Sequence, residues 1–233
     1  MKNNSPLALS DPGLWRILMA LFLLSCSCTS WAQWSGSAAL ASEYIYRGNS
    51  LSQGRPAVQI NVNVDGESGL FAGGFLSKSI SNEQSQRGAQ AIMYAGMAQR
   101  LSSGTGWEVG VTRVLLPDIP RWNYTEIFTG ISRDDMNLRV HYSSDYLGLK
   151  KESLYVEWNG DLSLDDQWNI YAHVGALSLR ERSTQRDLRV GIAWNRGSWF
   201  TQLAWGKMLR SDESRLYFDR PSHQLTLSVR RAF

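Results

Sequence analysis

The sequence has little of what disulfide scaffolds, metal centres and nucleic-acid surfaces require. Its 233 residues include two cysteines, three histidines and six prolines, and its 24 basic residues form no dense block. The net charge is +3, whereas nucleic-acid-binding domains usually carry a basic stripe. The composition therefore argues against a nucleic-acid partner. Because Cys and His are scarce and isolated, no metal-ligand spacing exists, and we expect neither a metal nor another cofactor.

The first 32 residues have the pattern of a cleaved secretory signal peptide. Lys2 and Arg16 precede an apolar core at residues 17–24, and Ser30-Trp31-Ala32 places small residues before a cleavage site. The apolar core is too short to span a bilayer as a helix. The segment therefore predicts export of residues 33–233, which form a single domain.

A lipoprotein signal is the alternative, because Leu23-Leu24-Ser25-Cys26 resembles a lipobox. Cys26 and Cys28 both lie in the signal segment. Residues 33–233 therefore contain no cysteine, and we expect no disulfide and no thiolate chemistry there.

Residues 33–233 contain no long apolar run and instead alternate apolar and polar residues. Residues 57–65, 136–143 and 187–194 all show this period of two, which places the apolar set on one face of a β-strand. The predicted lipid-facing residues include Val58, Ile60, Val62, Leu138, Val140, Val190, Ile192 and Leu227.

The alternation predicts twelve strands along the chain. They cover 35–46, 55–65, 69–78, 88–101, 107–116, 122–132, 136–146, 152–160, 167–177, 186–195, 199–209 and 222–233. Short turns rich in Gly, Asn, Asp and Ser alternate with longer connections. An even number of strands with this arrangement is typical of outer-membrane barrels. The predicted fold is all-β, a single antiparallel transmembrane β-barrel with outer-membrane lipids around it.

The aromatic residues favour two girdles at the lipid–water interfaces. The girdle near the tight turns comprises Trp34, Trp107, Trp168, Trp194 and Trp199. The girdle near the longer loops comprises Tyr44, Tyr46, Trp122, Tyr146, Tyr217 and Phe218. The alternative is a secreted β-sandwich or lipocalin-like calyx, in which such rings form the core.

The chain ends at Phe233, directly after the alternating residues Leu225, Leu227 and Val229. Such an ending resembles the C-terminal strand that the outer-membrane assembly machinery recognises. We therefore predict that Phe233 is an assembly signal and that the barrel assembly machinery is a partner. Deletion of Phe233 is expected to impair assembly more than the stability of barrels that do form.

The beginning of the exported chain resembles a known family. Residues 42–53 read SEYIYRGNSLSQ, residues 55–59 read RPAVQ, and residues 68–73 read SGLFAG. These motifs are similar to the opening of the TorF-type porin family, a poorly characterised group of small Gram-negative outer-membrane proteins. The resemblance implies an outer-membrane barrel and brings no substrate or catalytic residue. Tyr46 and Arg47 are expected where the first strand leaves the membrane.

The alternation places ten ionisable residues on the inward face of their strands, where we expect them to line the lumen. They are Glu43, Glu126, Arg139, His141, Asp145, Glu157, His173, Asp187, Arg189 and Arg230. Twelve strands lie between the filled eight-stranded barrels and the open sixteen-stranded porins, which predicts a narrow or nearly closed lumen. The charges either pair with one another or leave Arg139, Arg189 and Arg230 to attract anions.

The preferred function is a passive outer-membrane channel for small hydrophilic solutes. The first alternative is a plugged structural or adhesive barrel, although modest loop lengths argue against adhesion and against a large constricting loop. The second is lipid hydrolysis, because His141 and Ser143 match the H-x-S pattern of lipid A deacylases. Alternation points both side chains into the lumen, and His223 beside Ser222 lacks an acidic partner. We therefore predict a protein that is not an enzyme.

Overall fold

The computed structural model describes residues 32–79, 89–181, 184–209 and 223–233. Residues 1–31 of the predicted signal peptide lie outside the described residues, as do Tyr217, Phe218 and Ser222. Within these ranges, no helix has the length and apolarity needed to cross a bilayer.

Twelve antiparallel strands close into one barrel, which confirms the predicted fold. The barrel strands are β1 (Gln33–Ala41), β4 (Ala57–Asp65), β5 (Leu70–Ser79), β6 (Ala89–Arg100), β7 (Gly106–Leu115), β8 (Tyr124–Arg133), β9 (Met136–Ser143), β10 (Ser153–Ser163), β11 (Trp168–Leu179), β12 (Gln185–Arg196), β13 (Trp199–Leu209) and β14 (His223–Ala232). Two short strands, β2 (Ile45–Tyr46) and β3 (Asn49–Ser50), pair only with each other. Short 3-10 helices at Pro120–Trp122 and Tyr146–Gly148 lie at the loop end.

The outer face of the barrel is apolar and exposed. Seven of the residues predicted to face lipid, namely Val58, Ile60, Val62, Leu138, Val190, Ile192 and Leu227, are exposed there, and Val140 is half-buried. Trp34, Trp168 and Trp199 are exposed near the tight-turn end. A continuous apolar surface of this kind needs an apolar environment. Because successive side chains of a strand point to opposite faces, the polar residues of the same strands point into the lumen.

Aromatic rings on the inner wall lie over glycines of the neighbouring strand. The cross-strand pairs are Phe71 with Gly96, Tyr94 with Gly73, Phe128 with Gly110 and Tyr171 with Gly191. A Cβ atom at any of these glycines would collide with the ring. The rings therefore lie against the wall, which leaves space along the barrel axis.

The C-terminal residue completes the seam where the barrel closes. The N–H of Gly36 donates to the carbonyl of Phe233, and the N–H of Phe233 donates to the carbonyl of Gly36, both at 3.0 Å. The Phe233 ring packs over Gly36, where a Cβ would be 2.5 Å from the ring. Phe233 thus extends the β1–β14 pairing by one residue pair beyond Ala232.

The first barrel strand is shorter than predicted. β1 ends at Ala41 rather than at residue 46, because Ser42 ends the pairing with β14: its N–H donates to the Leu227 carbonyl and its Oγ accepts from the Leu227 N–H. The chain then turns into the barrel. β9 likewise ends at Ser143 rather than at residue 146, and the other strands agree with the prediction within a few residues.

The predicted girdle at the loop end is wrong for the tyrosines that the structure describes. Tyr44 and Tyr146 are only 6% and 4% exposed, and both belong to buried clusters inside the barrel. The Tyr46 hydroxyl lies 3.1 Å from the Tyr124 hydroxyl in the lumen. These rings pack around a segment that folds inward, a contact that alternation along one strand does not reveal.

Replacement of Val140 by arginine tests the assignment of the two faces. Val140 lies within β9 with its side chain on the outer face. Arginine there is expected to lower the free energy of unfolding in lipid vesicles by about 2–4 kcal/mol, the cost of a lipid-facing charge near the midplane. Urea titration of the reconstituted barrel measures this cost. Gln59→Arg, on the lumenal face, is the control, and an equal loss in both variants would contradict the assignment.

Candidate functional site in the barrel lumen

A hairpin between β1 and β4 folds into the lumen from the loop end. This lumen hairpin, residues 45–50, consists of β2, β3 and a two-residue turn at Arg47 and Gly48. Both turn residues have positive φ, +48° and +72°, as a type I′ hairpin turn requires. A Cβ at Gly48 would lie 2.7 Å from Cβ of Asp187 on β12. The tip therefore touches β12, the third strand from β1 around the barrel, and glycine is required there.

Buried hydrogen bonds close the base of the lumen hairpin. The Tyr44 N–H donates to Ser52 Oγ at 2.8 Å, and the Leu51 N–H donates to the Tyr44 carbonyl at 2.9 Å. The Tyr44 hydroxyl donates to the side-chain carbonyl of Gln90 on β6. The Tyr44 ring packs against Phe75 on β5, with ring centroids 5.6 Å apart. These contacts fix the base to the wall from which the hairpin enters.

The tip of the lumen hairpin is held by a buried ion pair. The two terminal nitrogens of Arg47 donate to the two carboxylate oxygens of Glu126 on β8, at 2.8 and 2.7 Å. The side chains are only 5% and 1% exposed. The guanidinium also lies over the Tyr155 ring, 4.2 Å from its centroid. Paired, parallel hydrogen bonds of this type are the strong form of an arginine–carboxylate contact.

Glu126 belongs to a chain of contacts between ionisable side chains along the lumen wall. Its Oε2 lies 3.6 Å from His141 Nδ1, and His141 Nε2 lies 3.3 Å from Glu157 Oε1. Glu157 Oε1 is 3.9 Å from Arg139, which binds Glu108 at 2.7 Å. This charge chain links the hairpin tip to strands β7–β10.

A glycine allows the last contact of the charge chain. Gly130 on β8 lies between Glu108 on β7 and Arg139 on β9 in the register of the sheet. A Cβ at Gly130 would lie 2.6 Å from Glu108 Oε1. The missing side chain therefore leaves room for Glu108 and Arg139 to meet across the intervening strand.

A second polar cluster lies beside the hairpin tip. His173 Nε2 is 2.8 Å from Asp187 Oδ1, and His173 Nδ1 is 2.7 Å from Asn159 Oδ1. The Tyr155 hydroxyl is 3.2 Å from His173 Nε2 and donates to Asp187 Oδ2 at 3.3 Å. Because these groups satisfy one another in a buried setting, they support the wall near Gly48.

The structure brings most of the ten predicted lumen residues together. A cavity of about 470 Å³ is lined by Glu126, Arg139, His141, Glu157, His173, Asp187 and Arg189. Arg230 lines an adjoining cavity of about 450 Å³, where its guanidinium lies 4.6 Å from the Phe200 ring centroid. Glu43 and Asp145 line neither cavity, because β1 and β9 end before them.

The arrangement around His141 does not match nucleophilic catalysis. Both ring nitrogens of His141 face carboxylates, whereas Ser143 Oγ accepts a hydrogen bond from the Asp145 N–H at 3.3 Å. On the outer face, the His223 ring packs against Trp205 at 5.7 Å. Among the described residues, no group of three His, Cys, Asp or Glu side chains is placed to hold a metal ion.

Sequence reasoning missed the role of Arg47 and of the rings that surround it. The motif is visible in the sequence, but it predicts Arg47 where the first strand leaves the membrane, and the modest loop lengths argue against a large constricting loop. The structure corrects both expectations, because residues 42–56 suffice to form a hairpin that crosses to β8, β10 and β12. The available signal was an Arg-Gly pair between two short β-prone segments, the pattern of a two-residue hairpin turn.

Loss of the Glu126 charge is expected to release the lumen hairpin. Glu126→Gln leaves the Arg47 charge buried without an anion, and breaking such a pair from one side costs about 3–5 kcal/mol. Amide hydrogen exchange of residues 45–50 in detergent micelles should therefore accelerate strongly. The double variant Arg47→Met/Glu126→Leu should exchange more slowly than Glu126→Gln, because no unpaired charge remains.

Glu108→Gln is the matched control, because Glu108 and its partner Arg139 are more exposed, at 22% and 36%, and such pairs contribute less. If Glu126→Gln left the exchange of residues 45–50 as slow as in the parent protein, the ion pair would not hold the hairpin.

Comparison with solved structures finds the same architecture in a porin. The KdgM porin matches with a TM-score of 0.55 and 11% identity, covering 85% of this chain and 99% of that chain. The KdgM porin in complex with disordered oligogalacturonate matches with a TM-score of 0.56 and 12% identity, covering 86% and 99%. At these identities the similarity establishes the fold.

Sequence comparisons give the family. A search of curated proteins finds no match. Residues 26–207 match a bacterial family described as being of unknown function. The match does not carry the TorF name, so that finer resemblance remains a prediction, but it spans more than half of the chain. The chain therefore belongs to the Gcw_chp family.

Proposed function

We propose that the chain is an outer-membrane channel for small hydrophilic solutes and that the lumen hairpin restricts its passage. Support for the membrane comes from the exposed apolar outer face and from the barrel fold shared with the KdgM porin. The predicted signal peptide supports export. The partner of the outer face is then the lipid of the outer membrane.

The observation that carries the proposal is a hollow, polar lumen obstructed by a hairpin. The cavities of about 470 and 450 Å³ share Asn61 and Phe75 in their linings, so they adjoin beneath the hairpin. Eight-stranded barrels, in contrast, are filled by the side chains of their own strands. Here side chains of the hairpin provide the obstruction, and a hairpin is an element that can move without unfolding the barrel.

The pairing of the ionisable side chains in the lumen indicates that most of them stabilise the barrel wall. Arg139 contacts Glu108 and Glu157, and His173 contacts Asp187. Such pairs fix the wall and reduce the number of charges that a passing solute meets. The proposed function requires no catalytic residue.

A plugged structural barrel is the second candidate, and one observation favours it. Val114, Leu116, Tyr124, Tyr146, Leu147 and Leu179 form a buried apolar cluster that closes part of the loop end. If this cluster and the lumen hairpin never separate, the cavities beneath them do not exchange solutes with the outside.

Planar-bilayer recordings distinguish the two candidates. The parent protein is expected to conduct in brief openings, and Glu126→Gln is expected to increase the open fraction, because release of the hairpin returns the Arg47 charge to water. Arg47→Met/Glu126→Leu should open less often than Glu126→Gln, and Glu108→Gln should resemble the parent. Absence of conductance in all four folded, heat-modifiable proteins would contradict the channel and favour the plugged barrel.

We also propose that the barrel assembly machinery recognises the ring of Phe233. Support comes from its position at the closing seam, where the backbone makes both hydrogen bonds to Gly36 and the ring adds only an exposed contact. Phe233→Ala keeps those backbone bonds and is expected to lower the amount of folded barrel in outer membranes.

The measurement is heat-modifiable mobility of the barrel in isolated membranes. Leu203→Ala, which removes an exposed apolar side chain from the neighbouring strand β13, is the control and should assemble normally. Equal amounts of folded Phe233→Ala and parent protein would argue against a signal in the ring.

A further inference from the structure

Arg189 differs from the other two arginines that line the larger cavity. Arg47 and Arg139 each bind a carboxylate. Within the described part of the chain, no carboxylate lies within ion-pair distance of Arg189. Its Nε is buried and has no hydrogen-bond partner. A buried guanidinium nitrogen without an acceptor is costly, which makes Arg189 a candidate for an external anion.

The neighbouring strands leave space in front of Arg189. Arg189 on β12 lies directly across from Gly206 on β13, and Gly206 lies across from Gln224 on β14. A Cβ at Gly206 would meet no atom closer than 3.5 Å. Arg189, Gly206, Gln224 and Thr226 all line the larger cavity. The opening over Gly206 is thus bordered by a guanidinium, a carboxamide and a hydroxyl, all of which donate hydrogen bonds.

The carboxylates of this cavity are committed to other partners. Glu108, Glu126 and Glu157 lie on β7, β8 and β10 and belong to the charge chain. Asp187 precedes Arg189 on the same inward face, but it contacts His173 and Tyr155. The acidic groups are therefore held away from Gly206 by their own hydrogen bonds, and the wall formed by β12–β14 presents an unpaired positive charge.

From this arrangement we infer a binding subsite for the carboxylate of a small hydrophilic solute, formed by Arg189, Gln224 and Thr226 over Gly206. The inference deepens the proposed function by naming the chemical class of solute. A guanidinium matches a carboxylate in charge and in planar geometry. The cavity of about 470 Å³ lies in the size range of small-molecule sites, so the rest of the solute fits beneath the lumen hairpin.

Isothermal titration calorimetry with the full barrel in detergent tests the subsite directly. Gluconate and glucose are the probes, because they share a carbon skeleton and differ in the carboxylate. The parent protein is expected to bind gluconate and not glucose. Arg189→Gln is expected to weaken gluconate binding by roughly tenfold or more, as expected for loss of a charge-assisted contact. Arg186→Gln, which removes an exposed charge from the outer face of the same strand, should bind like the parent.

Gly206→Val provides a second variant that keeps every charge. The structure accommodates its Cβ, and its methyl groups occupy the space beside Arg189, so gluconate binding should fall while heat-modifiable folding persists. Equal binding of gluconate and glucose, no binding of gluconate by the parent, or parent-like binding by Arg189→Gln would each overturn the subsite. Because calorimetry needs no conductance, a barrel that binds gluconate through Arg189 but never conducts would refute the channel and keep the subsite.

Discussion

The obstruction of the lumen depends on the burial of one positive charge. Arg47 is carried into the barrel by the lumen hairpin, and its charge is tolerated only because both carboxylate oxygens of Glu126 receive its hydrogen bonds and the Tyr155 ring lies beneath it. Positive φ at Arg47 is unfavourable for a residue with a side chain, and the ion pair with Glu126 offsets part of this cost.

The rest of the lumen is arranged around this pair. Glu126 is the first member of a charge chain that ends at Glu108, and Gly130 leaves the space in which the chain closes. Gly48 allows the hairpin tip to touch β12 beside the second polar cluster. The ionisable side chains on β7–β10 therefore contact either the lumen hairpin or one another. Arg189 lies on another part of the wall, which separates support of the hairpin from contact with a solute.

The strands were predictable because a barrel wall imposes a period of two on the sequence. Because apolar residues occupy one face of each strand and polar residues the other, the outward positions of Val62 and Ile192 could be predicted from their own strands alone. The position of the lumen hairpin could not be predicted from the alternation, because it depends on a contact with Glu126, 79 residues away along the chain. The prediction for Tyr44 and Tyr146 was wrong because a tyrosine at a strand end suits a membrane interface and a lumenal cluster equally well, and its sequence neighbours do not distinguish the two.

Accessibility of a single cysteine in the lumen hairpin tests most directly whether the hairpin occupies the lumen of the membrane-embedded barrel. Ser50 is 1% exposed, and cysteine is nearly isosteric with serine. Because residues 33–233 contain no other cysteine, labelling by a membrane-impermeant maleimide reports on this position alone. Labelling of Ser50→Cys should be much slower than that of Lys150→Cys at the exposed loop end, and Glu126→Gln should accelerate it. Labelling of Ser50→Cys as fast as that of Lys150→Cys in the parent background would contradict a lumen occupied by this hairpin.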